Sequence, residues 1–174
     1  MANLIYIDLV PQGEREAFAN KVIEVSDKLG INPNWLMQVM KAESGIRADI
    51  QNPIMMQGGH ATGLIQFAPN TAQKLGTTTD ALKNMGRIEQ LNYVYDYFKK
   101  YAGNIKSYFD LYLITFFPAA IGNNSDSYVF GGIKDGTPTD FAQKIAKGNP
   151  TMATSINGYP AVTMASFKQY LKNT

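Results

Sequence analysis

Leu36, Val39 and Met40 recur at the spacing of one helix face between a start signal, Asn32-Pro33, and a stop signal, Gly45. Asn is a preferred N-cap, Pro suits the first helical position, and Gly readily takes the left-handed conformation that ends a helix. These signals predict a helix over Pro33 to Ser44. Glu43 lies seven residues after Leu36, four after Val39 and three after Met40, so it shares their inward stripe. A carboxylate directed toward a core is costly. At a helix C-terminus it also meets the unfavourable end of the dipole. Both effects raise its pKa, and an acid that stays protonated near neutral pH can serve as a general acid.

Composition narrows what such an acid can belong to. The chain has 174 residues, of which 45% are hydrophobic and 17% charged, enough for a sizeable core and too apolar for a disordered chain. A net charge of +2 is too mild to argue for nucleic acid, though it suits an anionic polymer such as cell wall. There is no cysteine and one histidine, His60. Disulfides and thiolate metal sites are thereby excluded, as are multi-histidine metal centres and most Cys-His or Ser-His nucleophiles. No cofactor or metal is expected. No apolar run approaches the roughly 20 residues of a membrane span. The first ten residues lack a basic segment, and Asp8 interrupts their short apolar run, so they do not read as a secretory signal.

Along the chain, Leu4 to Val10 reads as a strand or extended arm. Glu14 to Leu29 reads as a helix with Phe18, Val22, Val25 and Leu29 inward and Gly30 as its stop. Trp35 lies just off the next helix's stripe, where packing is its expected role. Ile46 to Thr62 reads as a loop, since Pro53, Gly58 and Gly59 bar a regular helix. Within it, Met55 and Met56 are either sugar contacts or plugs over the core, and His60 is a solvated side chain or a substrate contact. Gly63 to Phe67 reads as a short extended segment. Short helices follow from Pro69 to Leu75 and after the Thr77-to-Asp80 cap. A longer one runs from Arg87 to Tyr101. Asn104 is expected to cap a nearly all-apolar helix stopped by Pro118. Gly122 to Gly136 reads as a loop, and Thr137-Pro138 as the opening of a helix to Lys147. Asn149 to Val162 reads as irregular, and Thr163 caps a terminal helix carrying Met164, Phe167 and Leu171. Ser155-Ile156-Asn157-Gly158 lacks the carboxylates of a calcium loop. The expectation is a mainly α chain forming a single domain over residues 1–174, with an N-terminal arm over 1–13 and a C-terminal extension over 149–174.

Glu43-Ser44, a polar loop, and then Ala61-Thr62-Gly63-Leu64-Ile65-Gln66-Phe67-Ala68-Pro69-Asn70-Thr71-Ala72 resemble the soluble lytic transglycosylase family in order and spacing. The resemblance covers about a quarter of the chain. It implies a lysozyme-like helical domain of the goose-type lysozyme and lytic transglycosylase kind, with a minor short-strand element. It also implies that Glu43 is the catalytic acid. The bond cleaved would join N-acetylmuramic acid to N-acetylglucosamine in bacterial peptidoglycan. Glu43 would then act as base while the muramyl 6-hydroxyl attacks its own anomeric carbon, leaving a 1,6-anhydro end. By the same resemblance Gly63, Ile65 and Gln66 belong to the segment that lines the substrate groove. The Gln66 amide either meets sugar groups there or braces the loop, Gly63 allows close backbone approach or simply a turn, and Ser44 holds either the Glu43 carboxylate or the loop. The family's Ala-Tyr-Asn segment is replaced here by Thr115-Phe116-Phe117-Pro118. Phe116 cannot donate a hydrogen bond. Tyr112, one turn earlier, or Tyr128 is the candidate hydroxyl, with Phe116 as an apolar wall.

Two other readings remain open. One is a hydrolytic lysozyme with Asp49 or another carboxylate as helper. The other is a glycan-binding or virion structural domain that has lost turnover. The Phe-Phe-Pro-Ala-Ala form looks similar to domains carried by bacteriophages. Expected partners are peptidoglycan strands, with no nucleic acid and a monomer favoured. The expected place of action is the cell wall, reached with a virion, by release at lysis, or by a signal since removed.

Overall fold

A computed structural model describes residues 3–174; the first two residues of the expected N-terminal arm lie outside the described ones. The chain divides into two compact units, residues 1–115 and 116–174. Among the described residues there are eight α-helices and three small antiparallel strand pairs, so the fold is mainly α as expected. No helix of the described residues is long and apolar enough to cross a membrane.

In the first unit, α1 (Arg15–Leu29) lies against both α2 (Pro33–Ser44) and α5 (Arg87–Phe98). The predicted inward residues Phe18, Val22, Val25 and Leu29 are buried, and Gly30 ends α1 in the left-handed conformation. Helix α2 has the predicted bounds. The Asn32 side chain accepts from the Asn34 N–H, and Gly45 at φ 63° donates to Lys41. Leu36, Val39 and Met40 are fully buried. Trp35 is half-buried.

After α2 the structure departs from the loop expected over Ile46 to Thr62. An antiparallel hairpin, β1 (Gln51–Met56) and β2 (Gly59–Thr62), occupies its second half. Pro53 is tolerated because the pairing is irregular between Gln51 and Met55. The chain continues through α3 (Pro69–Lys74), α4 (Thr79–Asn84), α5 and α6 (Tyr108–Phe116). Thr78 caps α4 by accepting from the Ala81 N–H.

Three further expectations are corrected in this unit. Leu4 to Val10 is not a strand: Ile7–Leu9 form a 3₁₀ turn after Tyr6 at φ 60°. The helix expected to Tyr101 ends at Phe98 and tightens into a 3₁₀ segment over Lys99–Asn104. Asn104 therefore lies inside that segment. The Ser107 hydroxyl instead accepts from the Asp110 N–H at the start of α6, which is the hydrogen bond of an N-cap.

The second unit contains β3 (Ile133–Lys134), β4 (Thr137–Pro138), α7 (Asp140–Gly148), β5 (Thr154–Ile156), β6 (Tyr159–Ala161) and α8 (Met164–Lys172). Thr137-Pro138 is a strand rather than a helix start; Thr139 caps α7 by accepting from the Ala142 N–H. The segment expected to be irregular, Asn149 to Val162, holds the β5–β6 hairpin. Thr163 and Ser166 form the predicted cap of α8 as a reciprocal box. Val129, Ala142 and Ala161 form a buried cluster. Phe130 is fully buried, its ring edge-on to Tyr128 and Phe117 and tilted against Phe116 and Phe167.

Candidate active site

Helix α2 ends in an unusual way. Gly45 and Ile46 are both left-handed, at φ 63° and 62°, and the Ile46 N–H donates to the Met40 carbonyl. A β-branched residue in that region is strained, and something must hold it there. Ile46 is fully buried, and the Arg87 guanidinium donates to its carbonyl at 2.7 Å while also pairing with Glu14 at 2.9 Å. The strained turn starts directly after Glu43-Ser44, so it fixes where the last turn of α2 stops.

Glu43 itself is half-buried. Burial pushes its carboxyl group up to about 7, and a hydrogen bond from the Tyr112 hydroxyl pulls the other way. Burial wins because one donor returns only part of the solvation that a carboxylate loses. Tyr112 is buried on α6, so two elements distant in sequence meet at this acid. Tyr97 on α5 also feels Glu43. Its hydroxyl lies above the usual phenol range, mainly through burial, with the Tyr101 and Glu43 charges adding to the effect.

Ser44 takes the second of its two candidate roles. Its hydroxyl lies 2.8 Å from the Leu64 carbonyl and 2.9 Å from the Met40 carbonyl, and it accepts from the Arg47 N–H at 3.2 Å. It joins the end of α2 to the loop over 63–67. That loop is a chain of turns closed by an antiparallel bridge between Thr62 and Phe67, not the extended segment the sequence suggested. Ile65 is buried, and Gln66 is held left-handed at φ 56°. Both hydrogen bonds of the Gln66 side chain run from Nε2, to the Gly63 carbonyl at 3.0 Å and to the Ile50 carbonyl at 3.3 Å. The amide nitrogen braces the loop, which leaves the carboxamide oxygen as the end that can meet a ligand.

Gln90 is the residue that sequence reading missed. It is fully buried on α5. Its Oε1 accepts from the Leu64 N–H at 2.6 Å, and its Nε2 donates to the Ala48 and Leu82 carbonyls at 3.0 and 2.9 Å. One amide thus satisfies three backbone groups from three segments, each costing roughly 1–3 kcal/mol if left unpaired. The available signal was a Gln next to the stripe of Leu91, Val94 and Phe98.

Gln90 also explains Gly63. At φ 89° any side chain would be strained, and a Cβ would fall within the Gln90 carboxamide. Gly63→Ala should lower stability by on the order of 3 kcal/mol from backbone strain plus overpacking. Denaturant titration checks this as a reduced midpoint with an unchanged slope.

A small cavity of about 70 Å³ is lined by Ile65, Gln66, Phe67, Ala68, Thr71, Tyr97 and Thr115. The larger groove of this unit, about 660 Å³, runs between the hairpin tip at Met56–Gly58 and the residues of α3 and α4. Met55 and Met56 are exposed on the hairpin beside exposed Ile54, so neither plugs the core. His60 Nδ1 lies 2.8 Å from the Asn52 carbonyl across the hairpin. Asp49 is exposed and paired with Arg47 at 3.4 Å. Phe116 stacks on Phe167 and, like Tyr128, touches Phe130; these rings belong to the second unit.

Chemically, the first unit offers a carboxylic acid able to give and take a proton near neutral pH. It accepts a hydrogen bond from the Tyr112 hydroxyl, and its neighbour Ser44 ties the end of the helix to an internally braced loop. The domain that carries it is mainly α and lysozyme-like. A family model described as the transglycosylase SLT domain matches residues 20–107, half of the chain, and the chain belongs to that family of transglycosylase-type enzymes. Glu43, the loop, Gln90 and Tyr97 fall within the match; Tyr112 and Phe116 lie past its end. Searches of curated proteins and of solved structures returned no match.

Proposed function

We propose that the protein is a peptidoglycan lytic transglycosylase that cleaves the bond between N-acetylmuramic acid and N-acetylglucosamine. The observation that carries this reading is Glu43: one carboxyl group raised to about 7, with a tyrosine hydroxyl on it, inside a segment matched by the transglycosylase family. Most glycosidases need two carboxylates, one as acid and one as nucleophile or base. The influences on Glu43 are burial and Tyr112, and the sequence-nearby candidate Asp49 is exposed and already paired. A single acid suits a reaction in which the substrate supplies its own nucleophile.

In that reaction protonated Glu43 gives its proton to the glycosidic oxygen as the bond to the muramyl anomeric carbon breaks. The carboxylate formed then takes the proton of the muramyl 6-hydroxyl as that oxygen bonds to the anomeric carbon. Glu43 ends protonated, and the products are a free N-acetylglucosamine end and a 1,6-anhydro muramyl end. The Tyr112 hydroxyl donates to the transient carboxylate and stabilises it. Mass spectrometry of digested peptidoglycan tests the reading. It expects soluble fragments with anhydro ends; reducing muramyl ends would identify a hydrolase, and absence of products a binding or structural domain.

Turnover should persist in EDTA. The chain has no cysteine and one histidine, and among the described residues no group of three His, Cys, Asp or Glu side chains could hold an ion. Loss of activity in EDTA that added zinc or calcium restores would contradict this expectation. The place of action follows as the bacterial cell wall, and a virion-borne or lysis-released enzyme fits the phage-like resemblance of the Phe116-to-Ala120 segment.

A further inference from the structure

We propose that Tyr97 is a positioning residue for this site, fixing the register between the helix that carries Tyr112 and the loop that carries Gln66. The proposal rests on the reading of Glu43 and Tyr112 given above. Its starting point is an open backbone group. In a continuing helix the Ile114 carbonyl would accept from the N–H of residue 118, four positions on. Residue 118 is proline and has no N–H, so the helix stops and that acceptor is orphaned. Ile114 is fully buried, where an unpaired carbonyl is unfavourable. The Tyr97 hydroxyl donates to the Ile114 oxygen at 2.8 Å. A side chain on α5 thereby completes the last turn of α6, two residues beyond Tyr112.

The same ring reaches the loop. Tyr97 meets Phe67 edge to face, with centroids 6.3 Å apart and planes at 89°, a favoured aromatic geometry. Phe67 closes the loop through its bridge with Thr62. Tyr97 also lines the small cavity together with Gln66 and Thr115. One residue thus contacts both supports of the site, the end of α6 and the closing residue of the loop. The titratable groups acting here are Glu43 on α2, Tyr112 on α6, and Tyr97 with Tyr101 beside it. Tyr97 influences the acid through the placement of Tyr112, whose hydrogen bond opposes the upward shift caused by burial.

The test is to follow the Glu43 carboxyl by carbon NMR in the full chain labelled with ¹³C-carboxyl glutamate, with Glu43→Gln giving the assignment. Tyr97→Phe should move the Glu43 titration to higher pH, because a displaced Tyr112 no longer favours the carboxylate. On peptidoglycan, kcat should fall on the order of tenfold with KM within about twofold, as expected for a misplaced group. In a Tyr112→Phe background, Tyr97→Phe should move the titration no further. Phe67→Leu, which keeps both hydroxyls, should shift it in the same direction and covers the case that Tyr97→Phe fails to fold. An unchanged Glu43 titration in folded Tyr97→Phe or Phe67→Leu would overturn the proposal, as would additive shifts in the double variant. The titration needs no turnover. An inactive wild-type protein would therefore contradict the proposed function, while the NMR result would still decide the role of Tyr97.

Discussion

Glu43→Gln should abolish cleavage while leaving the protein folded and, at alkaline pH, more stable. Gln keeps the shape and an oxygen that can accept from Tyr112, but it carries no proton to give. The stability effect follows from the shift. The carboxyl titrates at about 7 in the fold against 4.5 ordinarily. Its folded-state pKa is raised, so the protonated carboxyl is accommodated fully at pH below about 4.5. As pH rises through 7 the buried group must ionise, and that contribution is lost. The cost on the alkaline side is at most on the order of 3 kcal/mol, and less because Glu43 is only half-buried. Glu43→Gln should therefore raise the melting temperature at pH 8 and change it little at pH 4. Activity of the unaltered protein should fall on the alkaline side with an apparent pKa near 7, as the acid loses its proton. Near-normal turnover by Glu43→Gln on purified walls would show that the acid has been misassigned.

Tyr112→Phe should slow turnover by about 10²-fold or more with little change in melting temperature. A donor aimed at charge that develops during reaction typically has an effect of that size. The hydroxyl is on Glu43, and the effect of their hydrogen bond is to lower the acid's pKa. Its loss should therefore raise the Glu43 pKa and move the alkaline limb of the rate profile upward, while reducing the maximal rate. A large fall in melting temperature with an unchanged limb would assign Tyr112 to packing alone.

Much of the site was legible because its signals are local. Asn32, Pro33 and Gly45 bound α2 through cap geometry that needs no tertiary help, and the burial of Glu43's stripe follows from spacing. The missing tyrosine at Phe116 leaves two candidate hydroxyls, Tyr112 and Tyr128, and it is Tyr112, one turn from 116, whose hydroxyl bonds to Glu43. What escaped was long-range or very short. Gln90 looks like a polar residue on a helix; only the fold reveals that Leu64, Ala48 and Leu82 converge on it. The Gly63-to-Phe67 loop carries β-favouring residues, yet Ser44 and Gln90 hold its backbone in turns. The second unit's hairpins turn at Asp135-Gly136 and Asn157-Gly158, where φ is 50° and 75° and then 51° and 82°. Such pairs are the strongest short hairpin signals, but the strands beside them are two or three residues long and show no alternation to read.

The central claim is that Glu43 is the one catalytic carboxyl group and the sugar supplies the nucleophile. Digestion of purified peptidoglycan in H₂¹⁸O, followed by mass spectrometry of the new muramyl ends, tests it most directly. The account predicts ends 18 mass units below the hydrated form and free of ¹⁸O, since ring closure to the anhydro sugar takes up no water. Muramyl reducing ends that carry one ¹⁸O from the moment of cleavage would show water as the nucleophile and contradict it.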